Sequence, residues 1–209
     1  MISSENKVSD TVRPPLYGLV LAGGKSKRMG FDKSAIQWHG KEQRYYMADL
    51  LASICTEVFI SCRPEQQNKI DPQYKTLIDT YTMPGPYAAI LSAFKENPNV
   101  AWLVVACDLP LLDLDTLQYL IQHRDTASIA TTFKSPFDSL PEPLITIWEP
   151  ASYTALLAFL SEGYSCPRKA LIRSGDNVKI LTAPDANTLM NVNTPEDLGK
   201  VKELLIQKN

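Results

Sequence analysis

The stretch AWLVVAC, residues 101–107, limits the fold most tightly. Its apolar residues run without a polar break, so the alternation of a strand with one wet face is absent. A short run of this kind reads as a strand covered on both sides, at the centre of a parallel sheet between two layers of helices. Asp108 and Pro110, in the following CDLP, end it.

The rest of the chain supplies the neighbours such a strand needs. Further strands are expected at residues 17–21, 57–61, 75–78, 127–131, 144–148 and 178–181. Helical spacing is expected at 43–54, 87–95, 113–123, 150–160 and 195–206, with Asp113 and Thr194 as N-caps. Strand–helix alternation predicts an α/β chain with a Rossmann-like, open, mostly parallel sheet. Residues 1–15 (MISSENKVSDTVRPP) are polar and close on Pro14-Pro15. They read as a disordered lead-in without the apolar core of a secretory signal, and 16–209 reads as a single domain.

Composition narrows the function. Of 209 residues, 44% are hydrophobic and 21% charged, with a net charge of -2. A core is assured but a basic field is missing, which argues against nucleic acid or an anionic membrane as partner. No apolar run reaches the length of a membrane span. Cys55, Cys62, Cys107 and Cys166 form no C-x-x-C pair and read as buried free thiols of a cytoplasmic protein. His39 and His123 stand apart from other metal-type side chains and read as structural.

In open α/β sheets ligands lie beyond the carboxyl ends of the strands. That rule gathers the turn after residue 21, Ser61, Asp79, Asp108 and the segment from Asn191 to Asn193. The turn LAGGKSKRMG holds a GKS, yet it is not the P-loop G-x-x-x-x-G-K-[ST]. The first glycine would have to stand at residue 19, which is Leu19. The dinucleotide pattern G-x-G-x-x-G fails as well. Gly23 and Gly24 still free backbone N–H groups for an anion. Four cations follow within nine residues: Lys25, Lys27, Arg28 and Lys33. Together they suit a triphosphate. Asp108 suits Mg²⁺ held against phosphate oxygens, because Mg²⁺ takes few carboxylates and keeps waters. Asp79 suits base, ribose or metal. No Ser/His/Asp order suggests acyl transfer.

These residues carry a resemblance. LAGGKSKRMGFDK resembles L-A-G-G-x-x-x-R-M-G-x-D-K, the signature loop of the nucleotidyltransferases, and in particular of the molybdenum cofactor guanylyltransferases. GPYAAI resembles that family's G-P-L-A-G-[IM] turn, CDLP its C-D-x-P, LPEPLITIW its P-x-P-L and NVNTPEDL its N-V-N-T-P-E. In this order the matches span nearly all of residues 17–207.

The resemblance implies a nucleotide-diphospho-sugar transferase-type fold and a Mg²⁺-dependent transfer of GMP from GTP to molybdopterin. Leu21, Ala22, Gly23, Gly24, Lys33, Asp79 and Asp108 would bind the nucleotide. Ser61 would take the contact made by the family's first Asn of N-x-N, which reads Ser61-Cys62-Arg63 here. Lys33, Arg28 and Asp108 would be catalytic, with Asp108 the metal ligand. Asn191 and Asn193 would lie near the acceptor. Arg168 and Lys169 would hold its phosphate, unless GYSCPRKAL is a solvated helix start. LAGG with G-P-x-A points to guanine, whereas cytidylyl relatives carry L-A-A-G. The turn here reads Gly85-Pro86-Tyr87-Ala88-Ala89, without the family's last glycine. Handover of the product to a sulfurtransferase, an insertion chaperone or a molybdoenzyme is implied too. Two alternatives stay open: another phosphorylated acceptor, such as a sugar phosphate or cobinamide phosphate, or a GTP-binding module without turnover.

Overall fold

The central strand organises the structure as the apolar run predicts. The structure, a computed structural model, describes residues 13–22, 35–83 and 85–208. Seven strands form one sheet: β1 (Leu16–Leu21), β2 (Glu57–Cys62), β3 (Thr76–Ile78), β4 (Ala101–Ala106), β5 (Ala130–Lys134), β6 (Pro141–Trp148) and β7 (Val178–Leu181). Among the described residues six α-helices accompany them: α1 (Gln43–Ala52), α2 (Pro86–Glu96), α3 (Leu114–Gln122), α4 (Ser152–Ser161), α5 (Pro167–Ser174) and α6 (Pro195–Lys208). The strand order is β3-β2-β1-β4-β6-β5-β7. Every described pairing is parallel except those of β6, which runs antiparallel to β4 and β5.

All six residues of β4 are buried, and they alternate between two cores. Leu103 and Val105 pack with Met47 and Leu51 of α1 and with Leu117 and Leu120 of α3. Trp102 and Val104 pack on the other face with Leu91 and Phe94 of α2, Leu156 of α4 and Leu171 of α5. Full burial of one such side chain contributes about 1.5–3 kcal/mol, so two covered faces make β4 the mechanical centre. Gly18 of β1 lets α1 approach closely. A Cβ there would stand 3.0 Å from Leu51 Cδ1 and 3.1 Å from Val58 Cγ2.

Several boundaries differ from the sequence expectation. The strand expected at 127–131 begins at Ala130, because the Asp125 carboxylate accepts from Ala127 N and Ser128 Oγ and makes that segment a turn. The strand expected at 144–148 begins at Pro141. Helix α1 stops at Ala52, two residues short of the expected end. Residues 167–174 form α5, with Pro167 in its first turn, so GYSCPRKAL does hold a helix start. Cys62 and Cys107 are buried and Cys55 is half-buried, but Cys166 at the start of α5 is exposed, so the expectation of buried thiols fails there. Both predicted N-caps are present. Asp113 accepts from Thr116 N, and Thr194 and Asp197 cap α6 reciprocally. No described helix is long and apolar enough to cross a membrane.

Candidate active site

The carboxyl edge of the parallel strands collects the predicted residues from β1, β2, β3 and β4. Leu21 pairs with Ser61 on one side and with Ala106 on the other. Ala22 N donates to the Ser61 carbonyl at 3.3 Å, and Asp79 N donates to the Cys62 carbonyl at 3.0 Å. The end of β1 is thereby tied to β2, and β2 to the residue after β3. Gly23, Gly24, Lys25, Lys27, Arg28 and Lys33 lie outside the described residues.

Ser61 and Asp79 meet directly. Ser61 Oγ donates to Asp79 Oδ1 at 2.7 Å, and Ser61 is 1% exposed. Burial raises the Asp79 pKa above the ordinary carboxylate value, while the Ser61 hydroxyl and then the Arg63 charge work in the opposite direction. The next residue is fastened too, since Thr80 N donates to Ser92 Oγ of α2 at 2.8 Å.

Asp108 stands two residues past the last β1–β4 pair and is half-buried. Its turn is pinned from several directions. Val192 N donates to the Asp108 carbonyl at 2.9 Å. His39 Nε2 lies 2.9 Å from the Pro110 carbonyl, and its ring stacks on Tyr46. Leu111 packs with Val192 and with Val201 of α6, and Trp38 covers this small core. The Asn191–Asn193 segment thus lies against the Asp108 turn. Val192 points inward, Asn191 is half-buried and Asn193 is exposed.

Among the described residues, no three His, Cys, Asp or Glu side chains gather around a common point. A single half-buried carboxylate does not cage a metal. It does fit Mg²⁺ bound chiefly through substrate phosphates and water, with one protein oxygen. His123 turns its Nδ1 to the Tyr119 carbonyl at 2.8 Å, a local structural contact.

The second half of the edge is built differently. Arg168 of α5 forms ion pairs with Asp138 at 2.7 Å and with the buried Glu142 at 3.1 Å. Its guanidinium therefore already balances two carboxylates, while Lys169 beside it is exposed. These partners stand 30 and 26 residues away and carry no local signal in the sequence. Tyr87, in the altered turn, points away from the edge. It is fully buried, and its hydroxyl donates to the Leu156 carbonyl of α4 at 2.8 Å. Gly85 before it has φ +95, a conformation that only glycine adopts without strain.

A groove of about 440 Å³ opens elsewhere, lined by residues such as Ala48, Cys55, Glu57 and Tyr74. It belongs to the opposite edge, where β2 and β3 begin. Burial pushes the Cys55 thiol up to about 12, so it is no nucleophile.

The model of the MobA-like NTP transferase domain matches residues 18–178. The chain belongs to this family of nucleotidyltransferases. A bifunctional molybdenum cofactor biosynthesis protein of Synechocystis is 34% identical over 202 residues, which are 96% of this chain and 58% of that protein. The chain thus spans little more than half of that relative. A molybdenum cofactor guanylyltransferase of Pseudomonas fluorescens is 30% identical over 199 residues, 91% of this chain and 96% of that one. Among solved structures, molybdopterin-guanine dinucleotide biosynthesis protein A from Archaeoglobus fulgidus superposes with a TM-score of 0.75 at 22% identity. The match covers 91% of this chain and 99% of that one, and it shows the shared fold. The MobA-like fold is the nucleotide-diphospho-sugar transferase type expected from the sequence.

Proposed function

We propose that the chain transfers GMP from GTP to the terminal phosphate of molybdopterin, forming the guanine dinucleotide cofactor and pyrophosphate. The observation that carries this reading is the hydrogen bond from Val192 N to the Asp108 carbonyl. It ties the element proposed to meet the acceptor to the backbone of the residue whose carboxylate is proposed to hold the metal, beside the end of β1. The names of the relatives support the same substrates.

Transfer at phosphorus asks the protein for in-line positioning and charge neutralisation more than for covalent help. In this reading Leu21, Ala22, Gly23 and Gly24 bind GTP through backbone groups. Lys33 and Arg28 neutralise charge on the phosphates, and Asp79 meets the nucleoside. Asp108 would hold Mg²⁺, which, when bound, supplies charge neutralisation on the phosphate oxygens. Asn191 and Asn193 orient the acceptor, with Lys169 available to its phosphate. The acceptor phosphate oxygen attacks the α-phosphorus as pyrophosphate leaves. That nucleophile is already ionised, so no histidine base is required.

Pyrophosphate release with Mg²⁺, molybdopterin and either GTP or CTP tests the proposal. Release with GTP alone is expected. Release with CTP alone would reassign the base, and GTP turnover only with a sugar phosphate or cobinamide phosphate would reassign the acceptor. GTP binding without release from any acceptor would make the chain a binding module.

A further inference from the structure

The pair Ser61–Asp79 has a feature that nucleotide binding in general does not require. Ser61 Oγ, on a side chain withdrawn from solvent, donates to one oxygen of Asp79 at 2.7 Å. No described residue donates to the other oxygen, Oδ2, and Asp79 is only half-buried. The backbone around Asp79 is held at both sides, by the Cys62 carbonyl and by Ser92 Oγ. A carboxylate held in this way beside the strand ends is suited to the donor groups of a ligand. It accepts hydrogen bonds from a donor group, and it repels phosphate.

Its position selects the donor. Asp79 follows β3, and β3 is two strands from β1. Strand spacing puts it about 10 Å from the end of β1, whose following residues the proposed function assigns to the phosphates. Along a nucleotide the ribose adjoins the phosphates and the base lies one unit further out. Guanine presents two adjacent donors, N1–H and the 2-amino group, matched to the two oxygens of one carboxylate. Cytosine offers a single amino group beside acceptors that a carboxylate repels.

We infer that Ser61 is a positioning residue, orienting the Asp79 carboxylate to accept from N1–H and the 2-amino group of guanine and so to select GTP. This rests on the nucleotide reading above. The hydroxyl fixes the plane of the carboxylate, and Asp79 reads the base.

Equilibrium binding without acceptor tests it, using GTP, ITP (which lacks the 2-amino group) and 2′-deoxy-GTP. A hydrogen bond to a charged group predicts that wild type binds GTP at least about tenfold more tightly than ITP. Ser61→Ala should bring that ratio close to one, and Ser61→Thr, which keeps a hydroxyl, should restore it. Asp79→Asn turns an acceptor into a donor and should abolish the ratio independently, should Ser61→Ala fail to fold. Three results would overturn the inference alone: a wild-type ratio near one, an unchanged ratio in folded Ser61→Ala, or a collapse of the GTP to 2′-deoxy-GTP ratio in its place. Failure of the wild type to bind any of the three would overturn the nucleotide reading as well.

Discussion

The two edges of the sheet use charge in opposite ways. At the amino edge Arg124 donates to both oxygens of Glu149, at 2.6 and 2.8 Å, and to the Pro14 carbonyl at 3.0 Å. Both side chains are almost wholly buried, 5% and 1% exposed. At the carboxyl edge Asp79 receives one hydroxyl and keeps an oxygen to which no described residue donates. Asp108 there adjoins the end of β1, and no acid cluster surrounds it among the described residues. A charge fully paired inside the molecule serves stability; a carboxylate with acceptor capacity at a strand end is available to a ligand. In the proposed reading β1 to β4 therefore keep buried ion pairing and ligand contacts at opposite strand ends, whereas Arg168 carries paired charge to the far half of the carboxyl edge.

Three variants press on this contrast, the largest effect first. Arg124→Ala leaves Glu149 buried and uncompensated, and should cost about 3–5 kcal/mol in urea unfolding. Transfer per folded molecule should be unchanged. Intact stability, or lost activity in fully folded protein, would erase the contrast. Lys33→Ala should lower kcat by about 10²–10³-fold, as loss of one charge-stabilising donor does. Lys25→Ala should do much less, because its GKS matches a P-loop only in letters. Equal losses, read in single-turnover assays at saturating GTP, would refute that distinction.

What could be read from the sequence follows the range of the interaction. β4 is legible because an apolar run needs no partner to be recognised. The caps at Asp113 and Thr194 are legible because each acts within one helical turn. Asp125 shifts the start of β5 by capturing its own neighbours, a local event that alternation alone does not reveal. The direction of β6 follows from the short connection that turns β5 back on itself, and its place in the sheet from pairing with the distant β4, which alternation alone does not reveal. Its register against β5 also shifts between Thr132 and Lys134, where the Glu142 carbonyl accepts from both Thr132 Oγ1 and Thr146 Oγ1 at 2.5 Å. Within the candidate site, strand-end logic selects Ser61, Asp79 and Asp108 individually. It does not reveal that Ser61 donates to Asp79, or that Arg168 is held by Asp138 and Glu142. Those contacts exist only once the sheet brings distant segments together. Tyr87 shows the converse: an altered turn residue that looks placed for the ligand instead packs into the core.

The most direct test of the carboxyl edge as reaction centre is pyrophosphate release by Asp108→Asn beside wild type, with GTP, Mg²⁺ and molybdopterin all saturating. Loss of the one carboxylate proposed to hold the metal removes several kcal/mol of charge stabilisation. A fall of at least about 10³-fold, with unfolding free energy unchanged, is the predicted result. Turnover within about tenfold of wild type would contradict the account and move the chemistry away from the end of β4.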